Sequence, residues 1–168
     1  MMFNAWIYLA ACLFKSNIII YNIDTGSPIW TLTGHIGNVY DLVFLDSNLM
    51  ATSGQDHTIH IWNLTANTTQ FTLTGHSRVV SGLKLLSTEV LASGSEDFTV
   101  KLWNVTSGEL ITTLTNYSNY ISWGIDLLNG ETLESGSHDQ TIKLWNWTTG
   151  EMLRTISTSI IRIIWILG

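Results

Sequence analysis

Residues 52–62 read TSGQDHTIHIW, residues 93–103 read SGSEDFTVKLW, and residues 135–145 read SGSHDQTIKLW. The three closing tryptophans, Trp62, Trp103 and Trp145, stand 41 and 42 residues apart. Self-similarity at this period marks a repeat architecture, and it decides the fold before any local propensity is weighed. Around each copy the chain carries four strand-length apolar bursts, a to d, separated by turn formers. In the first unit these are 39–45, 49–53, 58–64 and 69–74; in the second, 80–86, 90–93, 99–105 and 110–115; in the third, 121–128, 132–135, 141–147 and 152–156. The bursts are rich in β-branched and aromatic residues, and no segment keeps a helical period over a useful length. The sequence therefore predicts an all-β chain of four-stranded antiparallel sheets. Such sheets stack radially, because one sheet alone cannot cover both of its apolar faces.

Between the repeats lies a second regularity. Gly34-His35 and Gly75-His76 each precede their Trp-Asn by 28 residues, with an S/T-x-x-x-D segment in between. This GH…WD frame resembles the WD40 repeat over roughly residues 10–167. The resemblance implies a β-propeller in which each blade holds a hydrogen-bonded tetrad. Carried over residue by residue, the first tetrad is His35, Thr52, Asp56 and Trp62, and the second is His76, Ser93, Asp97 and Trp103. The third unit keeps Ser135, Asp139 and Trp145 but has Asn116-Tyr117 in place of Gly-His, and a phenol reaching Asp139 is expected to substitute there. That blade is expected to be the softest. The second letter of WD is Asn throughout, at Asn63, Asn104 and Asn146.

The ends extend the repeat. One period back from Trp62 falls on Tyr21, so residues 6–33 read as strands b, c and d of a unit without a tetrad; forward counting places a strand a at 162–167. The expected units are 1–33 (partial), 34–74, 75–115, 116–157 and 158–168 (strand a of a further or split blade). Three assemblies fit: a four-bladed ring closed by its two ends, an eight-bladed ring of two chains that exchange strands, or a piece of a longer propeller.

Composition narrows the function. Of 168 residues 45% are hydrophobic and 12% charged, with a formal net charge of -6. The seven Lys and Arg are scattered, which argues against binding a nucleic-acid backbone. One cysteine, Cys12, excludes an internal disulfide and a thiolate metal site, and suits a cytoplasmic or nuclear location. Residues 5–14 have the apolar character of a secretory signal but lack its basic start, and the register makes them a strand. Residues 160–167 are shorter than the roughly 20 needed for a membrane helix. N-x-S/T sequons occur at Asn63, Asn67, Asn104, Asn116 and Asn146. Three of them follow the repeated Trp, so duplication of one phrase accounts for them.

The recurring Ser/His/Asp set lacks a G-x-S-x-G elbow and appears once per blade, as scaffold bonding does, so no catalysis is expected. His57 and His60, three apart, would point to opposite faces of a strand and not chelate together. No cofactor or metal is expected. The resemblance implies a protein-interaction scaffold that binds a peptide or protein loop on one end of the propeller, with partners that are proteins rather than nucleic acid or membrane. Three positions per blade are candidates there: Asn38, Tyr40 and Gln55; Val79, Ser81 and Glu96; Tyr120, Ser122 and His138. With no arginine cluster among them, phosphate recognition is not expected.

Overall fold

The computed structural model describes residues 8–12 and 16–158. Among these residues fifteen strands run in chain order. The first three, β1 (Tyr8–Cys12), β2 (Asn17–Asn22) and β3 (Pro28–Thr33), form a three-stranded sheet. Three four-stranded antiparallel sheets follow: β4 (Val39–Phe44), β5 (Leu49–Gly54), β6 (Ile59–Asn63) and β7 (Thr68–Leu73); β8 (Val80–Leu85), β9 (Val90–Ser95), β10 (Val100–Asn104) and β11 (Leu110–Leu114); β12 (Ile121–Leu128), β13 (Thr132–Ser137), β14 (Thr141–Asn146) and β15 (Glu151–Ser157). Each sheet is a meander whose neighbours in space are neighbours in sequence, so each forms from local hairpins. The strand expected at 162–167 lies outside the described residues. Among those described there is no helix long and apolar enough to cross a membrane.

Alternation along the third strand of each blade builds the interior. Ile59 and Ile61 point to one side of β6 while His60 and Trp62 point to the other. Trp62 packs with Ile18, Ile20, Leu32 and Met50, against the partial sheet. Ile59 and Ile61 pack with Val80, Leu83 and Trp103, between the first and second blades. Val100 and Leu102 join Ile121, Ile125 and Trp145 between the second and third. The core is thus a series of three inter-sheet layers. Each buried Ile, Leu or Val contributes about 1.5–3 kcal/mol by leaving water.

The same alternation shows where the stack stops. Ile142 and Leu144 of β14 occupy the positions of Val100 and Leu102, yet they are half-buried where their counterparts are fully buried. Extended packing among the described strands runs only in chain order, from the partial sheet through the third blade. The described sheets therefore stack in chain order as an arc, and the strand through which a ring of four would close lies outside the described residues.

Polar ties reinforce the blade interfaces. Leu83 N donates to Asp41 Oδ2 at 2.8 Å between the first and second blades. Ser81 Oγ donates to the Ile121 carbonyl at 2.9 Å, and Lys84 pairs with Asp126, both between the second and third.

Candidate functional site

The turn between b and c of each blade and the loop entering strand a meet at one end of the arc, and the tetrads lock them together. In the first blade, His35 Nδ1 lies 2.9 Å from Asp56 Oδ2, and His35 Nε2 lies 2.8 Å from Thr52 Oγ1. The indole N–H of Trp62 donates to the same hydroxyl at 2.8 Å. Asp56 also accepts the amides of Ile36 (2.8 Å) and Thr58 (3.1 Å). The second blade repeats this through His76–Asp97 (2.8 Å), His76–Ser93 (2.8 Å) and Trp103 to Ser93 (2.8 Å). Burial raises the Asp97 carboxyl, but hydrogen bonds from His76, Thr99 and the Ser77 amide outweigh it and hold the group well below the usual carboxylate range. Asp56 is lowered in the same way, against its burial, by Ile36, Thr58 and His35.

The third blade departs from expectation. The Tyr117 phenol does not reach Asp139; it bonds the Ser135 hydroxyl and accepts the Trp145 indole N–H at 2.8 Å. A phenol is longer than an imidazole and carries one polar atom, so it spans only half of the relay. Asp139 keeps the Ser118 amide (3.1 Å) and the Thr141 amide (3.0 Å). Burial pushes the Tyr117 phenol up to about 12, so it stays protonated.

Chemically, Asp–His–hydroxyl connectivity is that of an activated nucleophile. Here Thr52, Ser93 and Ser135 are fully buried and each hydroxyl is capped by an indole N–H, so no substrate atom can approach as packed. The relay is a clamp that positions two loops.

What it positions is the surface above it. Gln55 N donates to the Asn38 carbonyl (2.8 Å), Glu96 N to Val79 (2.9 Å) and His138 N to Tyr120 (2.8 Å). Each expected pair of loop-end residues is therefore joined through the backbone. Tyr40 and Tyr120 are 37% and 39% exposed. Gln55 and His138 are exposed, and Asn38, Val79 and Glu96 are half-buried. Ser81 does not belong to this surface: it is buried and its hydroxyl is spent on the third blade. It occupies the same repeat position as Tyr40, but a serine is too short to emerge past the neighbouring blade. The side chain of Ser122 lies outside the description.

Two further residues join this end. Ile36, 80% exposed, follows the tetrad histidine. Phe98 packs against Tyr120 across the blade boundary at 5.6 Å between ring centroids, and Tyr120 meets His138 edge-on at 6.0 Å. Phe98 has φ 69°, a left-handed conformation that a bulky side chain rarely adopts.

The asparagines after the tryptophans have a local task. Asn63 Oδ1 accepts Ala66 N (2.8 Å), Asn104 Oδ1 accepts Thr106 N (2.8 Å), and Asn146 Oδ1 accepts Thr148 N (3.0 Å). One acceptor oxygen suffices to close the c–d turn, so Asn serves where the frame has Asp.

The WD domain, G-beta repeat model matches residues 26–63, 67–104 and 108–146, more than half of the chain. The chain belongs to the WD40 repeat family. WD40 propellers are generally protein-interaction scaffolds and generally non-enzymatic. Among solved structures, the chain is similar to the WD40 β-propeller domain of Doa1, with a TM-score of 0.81 at 22% identity. The match covers 92% of this chain and 52% of that one, so the chain spans about half of that propeller. No curated protein gives a significant match.

Proposed function

We propose that this chain is a non-enzymatic scaffold that binds a peptide or protein loop on the tetrad-braced loop end. The observation that carries the reading is the exposure of Ile36 and Tyr120 on loops, and of Tyr40 at the start of β4, beside the polar relays that hold this end in place. Ordered aromatic side chains with a polar tip make effective interface anchors, because little conformational freedom remains to be lost on binding. Among the described residues Arg78 is the one arginine near this end, and the chain carries a net charge of -6, which disfavours phosphorylated and nucleic-acid partners. The test is affinity selection from a random peptide library. Selected peptides should lose at least about tenfold in affinity, or ~1.4 kcal/mol, with Tyr120→Ala or Tyr40→Ala, and Glu96→Ala should weaken basic peptides alone. Unchanged affinity in all three variants would refute the assignment.

A second reading rests on the half-length match and on the open face at Ile142 and Leu144: the chain serves as the propeller portion of a larger regulatory assembly. Light scattering tests it. A defined species larger than the 18.8 kDa chain supports it, and a monodisperse monomer opposes it.

A further inference from the structure

One position of the repeat differs in chemistry from its copies. Lys101 and Lys143 stand in the second and third blades and send Nζ to Thr113 (2.9 Å) and Thr155 (3.2 Å). The first blade has His60 there. Thr72 lies opposite it in the same register, yet the buried His60 Nδ1 has no hydrogen-bond partner. The His60 ring stacks on Trp62 at 5.2 Å and lies 4.2 Å from the His35 ring, between centroids. His35, Asp56 and His60 each place a ligand atom within 4.8 Å of the other two.

We propose that His35, Asp56 and His60 form a site for a divalent transition-metal cation of the zinc class. Two imidazole nitrogens and one carboxylate oxygen are a donor set suited to Zn²⁺, with a fourth position left for water. A tetrahedron with bonds of about 2.1 Å has edges of about 3.4 Å, so on binding the His35–Asp56 pair, now 2.9 Å apart, opens slightly while His60 closes in on it. His35 changes the nitrogen that carries its proton. Nδ1 releases its bond to Asp56 and takes the ion, while Nε2–H donates to Thr52 Oγ1, already 2.8 Å away, and orients the ring. The second blade is an internal control: His76 and Asp97 are arranged alike, but the Lys101 ammonium brings positive charge and no lone pair. His57, the sequence neighbour weighed as a partner for His60, is exposed in the turn at φ 69° and takes no part.

The experiment uses the full chain without a polyhistidine tag, stripped with chelator and titrated with Zn²⁺ by calorimetry and with Co²⁺ by visible absorption. The expected result is one ion per chain, tetrahedral Co²⁺ bands, and at least a tenfold loss of affinity in His60→Lys, which installs the frame of the second blade. His57→Ala and His138→Ala should bind as the parent does. Absence of stoichiometric binding by the parent chain overturns the proposal, as does unchanged affinity in His60→Lys. Should His60→Lys fail to fold, nitrogen NMR of the histidine-labelled parent chain decides: Zn²⁺-induced shifts of the His35 and His60 ring nitrogens support the site, and unchanged resonances of both refute it.

Discussion

Two adjacent hydroxyls in the first blade behave oppositely. Thr52 Oγ1 links His35 to Trp62, whereas the buried Ser53 Oγ has no partner. The second blade has glycine at the position of Ser53: Gly94, lying against Ile121 and Ile125. Thr52→Ala strands a ring nitrogen and an indole N–H and should destabilise by about 2–4 kcal/mol, while Ser53→Ala removes an unmet polar atom and should be neutral or stabilising by up to about 1 kcal/mol. Denaturant titration of both variants checks the contrast. Asp97 gives a pH signature. Its folded carboxyl is depressed below the unfolded value near 3.9, so its contribution is complete above that value and is lost as pH falls through the folded one. Acid unfolding of the parent should therefore steepen below about pH 4, and Asp97→Asn should show a shallower dependence there, read as thermal midpoints against pH.

Among elements, the third blade is set apart by Asn116-Tyr117. Asn116 sits at φ 96°, in the place of Gly75 at φ 146°, and Tyr117 leaves Asp139 without an imidazole. Asn116→Gly with Tyr117→His restores the frame, relieving the backbone and completing the relay. It should add about 1–2 kcal/mol and slow amide exchange in 132–146 relative to the parent. The strands of this blade were legible because periodicity, turn chemistry and alternation all agree, and the partial sheet was legible from register alone. The loop-end surface was only partly so. Ser81 and Tyr40 share a repeat position, and side-chain length against a neighbouring blade separates them. Phe98 and Ile36 are marked by spatial neighbours and exposure, which spacing does not encode. The tyrosine substitution was readable as a departure, but its partner depended on reach. His35 and His60 lie 25 residues apart and meet only because the loop entering strand a folds over strand c.

At the scale of the molecule, the arc buries three inter-sheet layers and leaves a fourth face half-covered. Equivalent truncations should expose the difference. Leu102→Ala, in a closed layer, should cost about 2–5 kcal/mol, and Leu144→Ala, on the open face, less than about 1.5 kcal/mol. The comparison is a pair of unfolding curves at matched protein concentration. If the two costs are equal in dilute solution, another surface covers Ile142 and Leu144 there, and the arc is closed in a way the described residues do not show.

Docking of a peptide or loop on the tetrad-braced end is the proposal that everything at this surface serves. Hydrogen–deuterium exchange of the chain with and without a selected peptide tests it most directly. Protection should concentrate at residues 36–40, 55–57, 96–98, 118–121 and 138–140. Protection confined to the opposite turns, at 46–48, 65–67 and 106–108, would contradict it.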